Sequence, residues 1–155
     1  MTFDVQVAHG VEEIGQEAWD HLSGDRPFAS YRWYRFGEAV LADDLPIYLI
    51  LFRQGEAVGR ATFWLERQES LPIRSRVVHG LARMVLRCWP LLVCRSPLSG
   101  TSGLILPPPP LRDVALETIV RYAQELMRQY RVSFLLFDYL QYPEMGWPGW
   151  PPDFS

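Results

Sequence analysis

Three groups of residues in this chain have types and spacings suited to chemistry. The first is the run Ser99-Gly100-Thr101-Ser102-Gly103. Small residues in a row present backbone N–H groups that can cradle a phosphate, and an adjacent helix N-terminus adds positive potential. Here the apolar segment Leu104 to Leu106 and the prolines Pro107 to Pro110 intervene before the next helix, so a turn between two strands fits the same residues. The second is Asp138, a carboxylate within an apolar strand. Facing a cleft, it would be placed for proton transfer; it fits equally as the partner of a buried Arg or as a strand-end residue in solvent. The third is Arg76, Arg83 and Arg87, aligned on one side of a helix expected from Arg76 to about Arg87. Like charges four apart weaken a helix slightly, so an anionic substrate or membrane surface beside it would help. Solvation, or pairing with Glu66 and Glu69, is the plainer reading.

Other chemistries find no footing. His9, His21 and His79 lack metal-ligand spacing, and Cys88 and Cys94 read as buried thiols, so no metal is expected. The chain contains no GxSxG, Walker A or GxGxxG motif.

The elements that must position these groups centre on Pro46 to Leu65. Ile47 to Phe52 is apolar on both alternating faces, as in a central strand covered on two sides. Arg53-Gln54-Gly55-Glu56 supplies a turn, with Gly55 free to take a positive φ. On the returning strand Ala57, Gly59, Ala61, Phe63 and Leu65 form a core-like face. Val58, Arg60, Thr62 and Trp64 form a mixed polar and aromatic face that can line a groove. Before this hairpin come an edge-like strand (Thr2 to Ala8) and a helix from after Gly10 through about Leu22. A second helix follows, with Ser30 as N-cap. After the hairpin come the Arg-bearing helix, a short strand (Leu91 to Arg95), the Ser/Gly run and a short return. A long helix from Leu111 to about Tyr130 and a strand from Arg131 to Leu140 close the series. We therefore expect an α/β domain over residues 1–140, with 141–155 as a Pro/Trp-rich linker toward a second domain.

The 155 residues are 48% hydrophobic and 21% charged, which suits a soluble globular domain. A net charge of −3 gives no global attraction to nucleic acid, and no DNA partner is expected. All fifteen basic residues are Arg, which matches a genome that avoids A-rich codons. No secretory signal is visible at the N-terminus, and the apolar run Met84 to Cys94 is too short to span a bilayer. A cytoplasmic location is the expectation, with the inner face of the membrane as an alternative if the Arg-bearing helix binds lipid.

The order of elements resembles the GNAT acyltransferase fold, a mixed twisted sheet flanked by helices, incomplete at its C-terminal end. The resemblance sharpens at Trp19-Asp20-His21-Leu22, then Pro27-Phe28-Ala29-Ser30-Tyr31 and the helix through Glu38. With the YLILFRQGEAVG hairpin this is similar to the Fem-like branch, which carries two GNAT-like halves in tandem. The resemblance implies transfer of an acyl or aminoacyl group to an amine, on a small molecule or a cell-envelope precursor. It implies acyl-CoA (acetyl-CoA) or aminoacyl-tRNA as donor and a second GNAT-like half as partner. An enzyme of this kind needs a cofactor cradle and a general base, for which Ser99 to Gly103 and Asp138 are the candidates, although the run lacks the Arg or Gln of the usual Q/R-x-x-G-x-G/A string and no helix follows it directly. The alternative function is a non-catalytic half that packs on a catalytic GNAT domain and shapes its acceptor groove.

Overall fold

The computed structural model describes residues 2–66 and 90–140. The expected Arg-bearing helix, with Arg76, Arg83 and Arg87, and the expected linker at 141–155 lie outside the described residues. The described elements run β1 (Asp4–Ala8), a 3-10 turn (Val11–Glu13), α1 (Gln16–Ser23), α2 (Tyr31–Val40), β2 (Leu45–Arg53) and β3 (Glu56–Glu66). After the undescribed segment come β4 (Leu91–Cys94), β5 (Leu104–Ile105), α3 (Arg112–Tyr130) and β6 (Phe134–Phe137).

The strands form one mixed sheet in the order β1-β2-β3-β4-β6, with β5 also on β3. All pairings are antiparallel except β4 with β6. That parallel pair needs a crossover connection, and α3 lies within it. Side chains alternate across each strand, so the central strands β2 and β3 must satisfy two cores. On one face Ile47, Leu49, Leu51, Ala61, Phe63 and Leu65 pack with α3 through Ala115, Ile119, Ala123 and Leu126. On the other, Tyr48, Ile50 and Trp64 pack with Trp19, Leu22 and Tyr34 of α1 and α2. The reading of β2 as a strand apolar on both faces holds: Ile47 through Leu51 are fully buried.

Four local differences from the sequence reading have physical causes. The first helix is two pieces, because Gly15 at φ +88° interrupts the chain between the 3-10 turn and α1. In the hairpin Leu51 pairs with Gly59 but Phe52 with Ala57, so Val58 is an extra, bulged residue. The bulge reverses the alternation: Val58 packs on the α3 side and Ala57 on the α1/α2 side. Thr62 and Trp64, expected along a groove, are fully buried in the aromatic core. The last strand is shorter than 131–140, because Arg131 takes a left-handed C-cap that ends α3 and Asp138 follows the last paired residue.

Candidate functional site

The site begins at a break in the sheet. β4 pairs with β3 from Glu66 to Phe63, leaves it after Cys94, and the chain returns as β5 beside Arg60 and Ala61. Residues 95–103 form an excursion at this break, and Thr62 closes its neck. Thr62 N–H donates to Gly103 O at 3.0 Å, and Thr62 O accepts from Arg95 N–H at 3.1 Å. The Thr62 hydroxyl lies 3.1 Å from Arg95 O, 3.2 Å from Gly103 O and 2.9 Å from the Tyr34 hydroxyl. Having one hydrogen to give, it shares that between the two carbonyls and leaves the Tyr34 O–H as the donor between the two hydroxyls. Only glycine fits at 103: a Cβ there would lie 2.6 Å from Thr62 Oγ1 and 2.8 Å from both Thr62 O and Arg95 N.

The excursion is also fastened to the connection between α1 and α2 and to α2 itself. Ser96 Oγ donates to Phe28 O at 2.6 Å, and Trp33 Nε1 donates to Pro97 O at 2.8 Å. Between these two walls and the inner face of β3 lies a cavity of about 130 Å³. Arg26, Ala29, Tyr34, Arg60, Thr101, Ser102, Gly103 and Arg112 are among its lining residues. Three of them are cationic, and the described lining contains no carboxylate or imidazole.

Arg60 is the unusual member. The alternation of β3 turns it toward the aromatic core, where it is 1% exposed. Its guanidinium carbon stacks 4.0 Å from the Trp19 ring centroid and 5.1 Å from that of Tyr34. Nη2 donates to Ala29 O at 2.7 Å, while Nε and Nη1 are buried without an acceptor among the described residues. It makes no ion pair among the described residues; the described pairs are Arg35–Glu12 and Arg95–Glu66. Burial pulls its pKa down to about 10, so it remains charged at neutral pH. A buried cation without a counter-charge is costly to keep. The neighbouring Tyr34 hydroxyl is held neutral, its pKa pushed up by burial.

At the edge of the cavity α3 begins without a side-chain cap. Arg112 lines the cavity, and its Nε is buried without an acceptor among the described residues. The first-turn amides of α3 are orphan donors by the geometry of any helix, and they carry the positive end of its dipole.

The sequence-derived candidates scatter around this site. Thr101, Ser102 and Gly103 line the cavity, whereas Ser99 and Gly100 do not. The run is a turn between strands: Ser96 N–H donates to Thr101 O, Ser99 and Thr101 hydroxyls meet at 2.9 Å, and Ser102 Oγ accepts from Leu104 N–H. Asp138 lies after β6 and does not line the cavity. Its N–H donates to Cys94 O and its Oδ1 accepts from Tyr139 N–H at 3.1 Å. Sequence reasoning placed Arg60 on a mixed face but did not single it out, nor Arg26, Tyr34 and Arg112. The available signal was one Arg within a strand otherwise apolar or hydroxylic from Ala57 to Leu65.

No family model matches this chain, and no curated protein matches it. Among solved structures it is similar to the aminoglycoside N-acetyltransferase AAC(6')-Iy, in complex with the bisubstrate analog CoA-S-monomethyl-acetylneamine. The superposition has a TM-score of 0.52 at 17% identity and covers 93% of this chain and 82% of that one. With its mixed sheet and helices on both faces, the chain has a GNAT-like fold.

Proposed function

We propose that this chain is an N-acyltransferase domain that moves an acyl group from acyl-CoA to an amine. The observation that carries this is the cationic cavity beside the uncapped start of α3, within a fold like that of a CoA-bound acetyltransferase. The residues fit the donor. The first-turn amides of α3 are suited to phosphate oxygens, although Pro107 to Pro110 contribute no N–H. Bound there, the donor would supply an activated acyl group. The chain's own residues orient it and set the charge around the amine. Three guanidinium groups disfavour an ammonium, so a bound amine is held in the neutral, nucleophilic form. The Tyr34 O–H stays protonated beside it. Aminoacyl-tRNA suits this chain less well as donor, since its net charge of −3 offers no broad attraction to RNA.

The Fem-like tandem arrangement, and an envelope-precursor acceptor with it, remain part of this proposal. One observation favours the second reading, a half that packs on another GNAT-like half: β6 is an edge of the described sheet and leaves Phe134 57% and Leu136 44% exposed. Titration of the full chain with acetyl-CoA, followed by calorimetry, separates the two. Saturable binding supports the donor assignment. Absence of binding by both acetyl-CoA and CoA, with the chain folded, would sink it in favour of the packing half.

A further inference from the structure

We infer that the cavity around Arg60 is an anion subsite, which selects an amine acceptor carrying a carboxylate or phosphate group. The inference rests on the acyl-transfer reading for the word acceptor, and on the geometry alone for the word anion. Arg60 is a fully buried cation with two N–H-bearing nitrogens lacking acceptors, no ion-pair partner among the described residues, and a place in the cavity wall. A structural arginine in such a place is normally matched by a carboxylate on a neighbouring element. Here the groups packed on its guanidinium are the rings of Trp19 and Tyr34 and one carbonyl, Ala29 O. Those partners hold the side chain in place; Asp20 attracts its charge without forming an ion pair with it.

The cavity lining itself adds positive charge. Arg26 and Arg112 line the same cavity, the former from the α1–α2 connection and the latter from the first turn of α3. The hydroxyls of Thr101 and Ser102 can donate to anion oxygens there, whereas the Tyr34 O–H is already given to Thr62. About 130 Å³ is roughly the room of four water molecules, enough for one carboxylate or phosphate with a short stem and too little for a whole coenzyme. Planar guanidinium groups recognise both anions. A polycationic acceptor would be repelled from this cavity. An amino acid-like or phosphorylated amine would be drawn in by the anion and presented with its amine uncharged.

The test uses the full chain, with inorganic phosphate and acetate as separate probes. Binding is read from thermal unfolding and from the arginine Nε–H signals in NMR spectra. Either anion is expected to raise the unfolding temperature saturably and to shift the Arg60 and Arg112 Nε–H signals. Arg60→Met should abolish both effects. The double variant Arg26→Gln with Arg112→Gln alters two less buried positions, and should weaken the anion about tenfold or more. Arg121→Gln, on the exposed side of α3, should leave binding unchanged. Anion binding that survives both Arg60→Met and the double variant overturns the subsite. The stronger of the two probes names the acceptor's group. Repeating the titration at saturating CoA separates this proposal from the reading beneath it. Phosphate bound alongside CoA supports an acceptor subsite; phosphate displaced by CoA assigns the cavity to the donor and overturns it. Anion binding with no CoA binding at all keeps the anion subsite and removes the acyltransferase reading.

Discussion

Thr62 and Gly103 show how one pair of residues decides the shape of the site. The Thr62 side chain and backbone together bind both ends of the excursion, and Gly103 must come within contact distance of them. Gly103→Ala is therefore expected to destabilise the chain by about 1–3 kcal/mol through forced backbone shifts. Gly100→Ala, whose added Cβ meets only the Tyr139 ring at 3.7 Å, should stay within about 0.5 kcal/mol of the parent. Urea midpoints of the two variants compare them directly, and equal losses would contradict this account. None of it was legible from residue types, because Thr62 and Gly103 are forty-one positions apart and their pairing depends on where the strand breaks. The same holds for Arg60. Its parity on the strand was readable, but its lack of an ion-pair partner among the described residues depends on which elements the fold brings beside it.

Elements with long periodic patterns were legible, and those set by single backbone conformations were not. The β2–β3 hairpin and α3 match their sequence patterns closely, since each buries a continuous apolar face. The start of α2 follows the expected cap: Ser30 is extended and its Oγ accepts from Trp33 N–H at 3.3 Å. Ser30→Ala should cost about 1 kcal/mol and Ser30→Gly only a few tenths, measured by chemical denaturation. Equal costs would show that the hydroxyl contributes nothing to the cap. The division between the 3-10 turn and α1 escaped the pattern because Val11, Ile14, Ala18 and Leu22 keep helical spacing across the Gly15 break. The β3 bulge escaped for a similar reason, since one unpaired residue changes the face of Ala57 without changing its type.

The described residues form a sheet with two unlike cores, one mainly aliphatic against α3 and one aromatic against α1 and α2. The aromatic core makes stability depend on alkaline pH. Tyr34 and Tyr48 are buried and neutral, and burial raises the pKa of each. A phenol whose folded pKa lies above its unfolded value of about 10 contributes stability that is present below that pH and lost as pH rises past it. Each tyrosine then removes up to about 1.4 kcal/mol per pH unit. Arg60 acts in the opposite sense: its folded pKa of about 10 lies below the ordinary 12.5, so stability rises with pH across that interval. Two tyrosines outweigh one arginine, and the net expectation is a fall above pH 10. Tyr34→Phe should flatten that fall in urea midpoints taken from pH 8 to 11; an unchanged slope would count against the buried-phenol origin.

The seams at Ser96–Phe28 and Trp33–Pro97 join the two cavity walls to each other as well as to the sheet. A mouth built this way has a fixed calibre, like a jaw riveted at its hinge. Trimming a lining side chain deepens the space but does not widen it. A lineage that came to accept bulkier acceptors would reach them by lengthening the chain between Pro97 and Ser102, where extra residues leave the Thr62 neck undisturbed. On the acyl-transfer reading proposed above, acceptor size would be recorded in loop length and acceptor charge in arginine count.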